Sequence, residues 1–239
     1  MTESSSSQKQ PSFLPALALT ALAFFFTALL RTIDIRAVGP ENSSVGFATI
    51  NSLIHDAFPY DVNLYQLTEK LGLIPFALTA LILAFVLVSF FTKRFAIKDK
   101  KAFIKLLLCL GGFYFAVLAI YIIFEKVIVL NFRPVILDSA EGLEPSYPSS
   151  HTFFALSLCG SLILVLKQFF SDQYPLFVKL GRPLLALLAL AIVFGRFLSG
   201  VHWFTDIIGG ALFAATLVAW LAFSLAHFAT PHKAADSNE

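Results

Sequence analysis

The stretch LGLIPFALTALILAFVLVSFFT, Leu71–Thr92, runs for 22 residues without a charge and is followed at once by Lys93 and Arg94. A helix of that length extends about 33 Å, enough to cross a hydrocarbon layer about 30 Å thick. No strand-like alternation competes with the helical reading, and a helix satisfies its own backbone hydrogen bonds in lipid. Working outward, five further apolar runs stand at Phe13–Leu30, Leu106–Phe124, Thr152–Phe170, Pro183–Gly195 and Ile207–Phe228. The expected fold class is therefore all-α, a polytopic membrane protein with six transmembrane helices in a single bundle. Residues 13–228 make the bundle. The short polar ends, 1–12 and 229–239, are expected to be disordered and cytoplasmic, and the first apolar run is an uncleaved helix rather than a leader.

Composition supports the same class. Hydrophobic residues make up 58% of the chain and charged residues 13%, against about 25% charged in a soluble domain. The net charge of +2 and the lack of a basic tract interleaved with aromatics argue against a nucleic-acid partner. The expected surroundings are a lipid bilayer. Cys109 and Cys159 both fall inside apolar runs, where they read as small buried hydrophobes and suggest neither a disulfide framework nor a metal site. The sequence sets no oligomeric state.

Orientation follows from the basic residues. Lys93, Arg94, Lys98, Lys100, Lys101 and Lys105 fall between the second and third runs, and the loop between the fourth and fifth is flanked by Lys167 and contains Lys179 and Arg182. These loops and both termini are expected in the cytoplasm of a plasma-membrane protein. Loops 31–70, 125–151 and 196–206 then face outward. In the first of them Phe47, Ile50, Leu53, Ile54 and Phe58 recur at near-helical spacing before Pro59, as in a short helix that lies on the outer surface or packs against the bundle. Only thirteen residues separate Arg182 from Arg196, about 20 Å of helix. That spacing predicts a short fifth span, with Arg196 below the outer surface and facing the protein interior. An ionisable residue at that depth is a functional-site candidate.

Three short segments then fall at the outward ends of spans. They are Lys126 to Arg133-Pro134, Pro148-Ser149-Ser150-His151, and Arg196 through His202 to Asp206. One lysine and two arginines converging make an anion site, because guanidinium forks match phosphate oxygens. Ser149 or Ser150 is placed to cap the helix that follows, whose N-terminal N–H groups favour anions. His202 and Asp206 are four apart and share a helical face, and a carboxylate beside histidine fixes its tautomer and stabilises its cation. Two histidines beside an anion site suggest that one attacks phosphorus while the other protonates the leaving group. A metal held by His151, His202 and Asp206 is the rival reading, opposed by the repulsion of Lys126, Arg133 and Arg196.

Together these segments resemble the three-part signature of the type 2 phosphatidic acid phosphatase family: Lys-x6-Arg-Pro, Pro-Ser-Gly-His, and Ser-Arg-x5-His-x3-Asp. Ser150 stands where glycine is usual, and Gly195 replaces the leading serine. The resemblance implies a metal-independent, cofactor-free membrane phosphatase working through a phosphohistidine. In that reading His202 is the nucleophile, Asp206 its orienting carboxylate and His151 the acid. Lys126, Arg133, Arg196, Ser149 and the Ser150 backbone form the phosphate cradle. The implied substrate is a membrane lipid phosphate, whether phosphatidic acid, phosphatidylglycerophosphate or undecaprenyl diphosphate. A lipid phosphotransferase and a non-hydrolytic transporter of anionic solutes are the alternatives. The family's glycine in the second motif puts the Ser150 backbone conformation in question, and Gly195 removes a hydroxyl that Ser199 or a water would have to replace.

Overall fold

The structure, a computed structural model, describes residues 12–92 and 100–229. The polar tails assigned to the cytoplasm, and Lys93, Arg94 and Lys98, lie outside the described residues. Seven helices follow one another: α1 (Leu14–Leu29), α2 (Ala48–Ala57), α3 (Val62–Phe91), α4 (Lys100–Ile122), α5 (Ser150–Val165), α6 (Pro175–Leu198) and α7 (Phe204–Ser224). α4, α5 and α7 each widen into a π turn at their ends, Ile123–Val127, Leu166–Phe170 and Leu225–Ala229. The expectation of helices alone needs one small correction. Arg36–Ala37 and Ser44–Val45 pair as an antiparallel two-stranded ribbon, with Arg36 opposite Val45.

Among the described residues five helices are long and apolar enough to cross a membrane by length and composition. α1 has 16 residues, about 24 Å, and is shorter than a full span. It lies antiparallel along α7: Phe13 meets Phe223, Thr20 accepts from Trp220 Nε1 at 3.0 Å, and Phe24 meets Phe213. α5 is the centre of the bundle. Its spanning window is 61% buried, against 17% for α3, and it packs on α3, α6 and α7. Lipid can replace neighbours for α3 and α4, whereas α5 reads as apolar all round because protein surrounds it.

α3 and α6 start eight or more residues ahead of their apolar runs. α3 begins at Val62, where the Asp61 carboxylate accepts from Asn63 N at 2.8 Å and Leu64 N at 3.0 Å. This N-cap adds more than two polar turns, carrying Tyr65, Thr68 and Glu69, ahead of the predicted start. α6 begins at Pro175 and runs through Pro183 for 24 residues, so the expected short fifth span is corrected. Arg182-Pro183 reads as a boundary in sequence, but Pro175 opens the helix and exposed Lys179 in its first turns can reach the surface.

α2 lies in the connection between α1 and α3. Buried Asn51 donates to the Gly46 carbonyl at 2.8 Å and to Thr205 Oγ1 at 3.0 Å, and accepts from Thr205 N at 3.2 Å. The helix is thus pinned by its polar side to the start of α7. Leu53 and Ile50 stay exposed on the opposite side. Of the two sequence readings, packing against the bundle is what these contacts show, and Ile50 and Leu53 form an exposed apolar side.

Candidate active site

The site sits where α4 ends, α5 begins, α6 ends and α7 begins. The loop after α4 doubles back on itself: Arg133 N donates to the Glu144 carbonyl at 3.0 Å and Ser146 N to the Asn131 carbonyl at 2.9 Å. This stem delivers Arg133 and Ser149 to one place. Ser149 N then donates to the Asp206 carbonyl at 2.9 Å, joining the start of α5 to the first turn of α7. Small residues permit that approach. A Cβ on Gly209 would fall 2.3 Å from the Tyr147 ring, and one on Gly210 would fall 2.8 Å from the Ser149 carbonyl oxygen. Between α6 and α7 the chain turns at Gly200 with φ +63°, a left-handed conformation that glycine adopts without steric cost.

His202 follows that turn. Its side chain is 1% exposed, and neither ring nitrogen has a hydrogen-bond partner. Burial pulls its pKa well below 6.5, helped by the positive charge of Arg133 and Arg196 and by His151. The imidazole is therefore neutral at pH 7, with a lone pair available for attack. Asp206 stands behind it with Oδ2 3.9 Å from His202 Nδ1, beyond hydrogen-bond reach. The carboxylate is fixed by others, accepting from Asn131 Nδ2 at 2.9 Å and from Trp203 N at 3.1 Å.

Arg196 is fully buried in the last turn of α6, as the sequence placed it. Its Nη2 lies 2.6 Å from His151 Nδ1. Arginine only donates, so Nδ1 accepts and the His151 proton sits on Nε2. That Nε2 is 3.4 Å from Glu69 Oε2, and Glu69 Oε1 also accepts from Arg196 Nη2. Arg133 Nε lies 2.9 Å from Glu144 Oε2, but off the hydrogen-bond axis. Arg133 Nε and Nη1, Arg196 Nε and Ser149 Oγ are all buried without a hydrogen-bond partner. Buried polar groups left without partners are costly, and these would be satisfied together by one tetrahedral oxyanion. The Ser149 hydroxyl caps nothing although the residue holds the N-cap position, so it stays free for a ligand. Ser150 is the first residue of α5, where an N–H has no partner within the helix.

The structure therefore brings together Arg133, Ser149, Ser150, His151, Arg196, His202 and Asp206. It leaves Lys126 outside. That side chain lies in the π turn Ile123–Val127, 72% exposed and 3.7 Å from its neighbour Glu125. Ser199 does not replace the hydroxyl missing at Gly195, since its Oγ donates to the Arg196 carbonyl. Three participants escaped the sequence reading: Glu69, Thr68 and Asn131. The one signal available for Glu69 was an acidic residue just ahead of an apolar span. Among the described residues no group of three His, Cys, Asp or Glu side chains is placed to share a metal ion.

This arrangement of helices is similar to that of a transmembrane PAP2 type phosphatidylglycerolphosphate phosphatase from Bacillus subtilis. The two share 16% identity and a TM-score of 0.57, over 88% of this chain and 94% of that one. At that identity the likeness speaks for the fold. No curated protein matches the chain. The PAP2 superfamily profile matches residues 106–230, which contain all three motifs and more than half of the chain, and the chain accordingly belongs to the PAP2 superfamily.

Proposed function

We propose that this chain is a lipid-phosphate phosphatase that works through a phosphohistidine on His202. The observation that carries the reading is the set of buried, unpartnered donors on Arg133, Arg196 and Ser149 beside a neutral, unpartnered imidazole. In the reaction a His202 nitrogen attacks phosphorus, an N–P bond forms and the P–O bond to the lipid breaks. His151, as imidazolium once the phosphate has drawn Arg196 away from Nδ1, gives a proton to the departing oxygen. Water then attacks the phosphohistidine, His151 takes up the water's proton, and inorganic phosphate leaves. Arg133 and Arg196, with Ser149 and the Ser150 N–H, balance the charge of the transferring phosphoryl group without a metal ion. Asp206 steadies the imidazole as it becomes cationic.

The substrate class is a terminal phosphate on a membrane lipid: phosphatidic acid, phosphatidylglycerophosphate or a polyprenyl diphosphate such as undecaprenyl diphosphate. A phosphotransferase would share the phosphoenzyme and differ only in its acceptor. The test is phosphate release in detergent from these three lipids with EDTA throughout. We expect release from at least one of them, and none from His202→Ala. Loss of turnover in EDTA with recovery on adding divalent ions would overturn the metal-free mechanism. Normal turnover in His202→Ala would overturn the nucleophile assignment.

A further inference from the structure

Tyr65, Thr68, Glu69 and Gly72 of α3 fall at i, i+3, i+4 and i+7 and share one helical face. That face closes the site against α5 and α6. The Tyr65 ring lies 5.0 Å from the Arg196 guanidinium carbon, within cation–π range. Thr68 Oγ1 donates to the Leu64 carbonyl and accepts from Arg196 Nη1 at 3.3 Å. Its methyl fills the space beside Gly195, where a Cβ would fall 2.4 Å from Thr68 Cγ2. The exchange of serine for glycine at 195 is thus matched by a hydroxyl from the neighbouring helix. Gly72 lets the His151 ring lie against backbone, since a Cβ there would be 2.7 Å from His151 Cδ2. All four residues precede the 106–230 region that the superfamily profile matches.

Glu69 changes the electrostatics of the cradle. Arg196 is paired with Glu69 and Arg133 with Glu144, so the empty cradle is charge-balanced rather than cationic. The Glu69 side chain is 39% exposed and can move off into water, but a ligand must displace it to reach Arg196 Nη2. A phosphodiester carries one negative charge and two free oxygens. It would exchange one monoanion for another and gain nothing in charge. A terminal phosphate brings a second charge and a third free oxygen, and so engages both arginines at once. Beside the fully buried Arg196 that extra charge counts for more than in bulk solvent. The phospholipids of a bilayer are phosphodiesters, present in large excess over any lipid with a terminal phosphate.

We propose that Glu69 is a specificity-determining residue, an internal anion that holds Arg196 and His151 in the empty site, excludes singly charged phosphodiesters and yields to dianionic terminal phosphates. The inference rests on the phosphate-cradle reading above and deepens it. The experiment is thermal unfolding of the full chain in detergent, titrated with methyl phosphate or dimethyl phosphate at pH 8, where the monoester is a dianion. Wild-type protein should respond to methyl phosphate at concentrations at least about tenfold lower, equivalent to about 1.4 kcal/mol. Glu69→Gln keeps an oxygen to accept the His151 N–H but loses the charge. It should bring dimethyl phosphate to within about threefold of methyl phosphate, and Glu69→Asp should keep the wild-type preference. A second measurement needs no variant: wild-type phosphate release from phosphatidic acid in micelles should be insensitive to excess phosphatidylglycerol. An unchanged preference in Glu69→Gln, or competitive inhibition of the wild type by phosphatidylglycerol at equal mole fraction, overturns the assignment. If neither small anion shifts wild-type unfolding, the cradle reading fails, and this inference fails with it.

Discussion

His202 combines two properties that water would oppose, a nearly unexposed ring and two nitrogens without partners. Its depressed pKa follows from burial first and from the Arg133 and Arg196 charges second, and the sign of the pH dependence follows from it. The nucleophilic form is the neutral one, which persists at every pH above the folded pKa, and that pKa lies below 6.5. The His202 contribution to the acid limb of kcat/KM, which reports the free enzyme, should therefore fall below pH 6.5 after correction for the substrate's own second ionisation near about 6. The same shift links to stability. Between the folded pKa and 6.5 the unfolded chain binds the proton more readily, so this group's contribution is complete above pH 6.5 and declines as pH falls through that window. A pH–rate profile on a soluble phosphate ester checks the first point. A corrected acid limb at or above 6.5 would remove His202 from the nucleophile's role.

At the scale of elements, the site depends on close approach, and close approach depends on glycine. α7 can lie against the 147–149 loop because Gly209 and Gly210 have no side chains. Gly209→Ala would gain up to about 1 kcal/mol in helix propensity. It would also drive a methyl into the buried Tyr147 ring, an overpacking that costs about 1–3 kcal/mol. We expect a net loss of thermal stability in detergent together with reduced phosphate release, because Ser149 N hangs from the Asp206 carbonyl across the same contact. A variant as stable and active as wild type would show that the loop can shift without consequence. Element existence was legible because uncharged runs of about 20 residues have few alternatives in lipid. The motif residues were legible because their spacing is local. Element ends were less so. Asp61 caps α3 well ahead of the apolar run, and Pro175 opens α6 ahead of Lys179, Arg182 and Pro183. Lys126 stands exposed in the π turn Ile123–Val127, although the motif spacing groups it with the others. Glu69 was missed because its partners, Arg196 and His151, are distant in sequence and only the packing of α3 on α5 and α6 joins them.

On the whole-molecule scale the chain has two unlike ends. Arg133, His151, Arg196 and His202 gather where α4 and α6 finish and where α5 and α7 start. Lys101 and Lys105 lie at the start of α4, Lys167 in the π turn after α5, and Lys179 near the start of α6. Alternating helix directions put these lysines at the other end of the bundle from the site. Lysine and arginine are retained on the cytoplasmic side of membrane proteins, which argues that the site faces outward and draws its lipid from the outer leaflet. Depth no longer follows from a short fifth span, because α6 is about 36 Å long. Arg196 is buried within the protein in the last turn of that helix. A lipid could present its phosphate there sideways, with its tails left in the bilayer. The test uses single cysteines at Ser139, which is exposed in the loop after α4, and at Lys100, the first residue of α4. The background lacks Cys109 and Cys159, the two free thiols. A membrane-impermeant thiol reagent applied to intact cells should label the Ser139 position and spare the Lys100 position until the cells are opened. Labelling of Lys100 alone in intact cells would place the site in the cytoplasm, and the enzyme would then draw on inner-leaflet lipid.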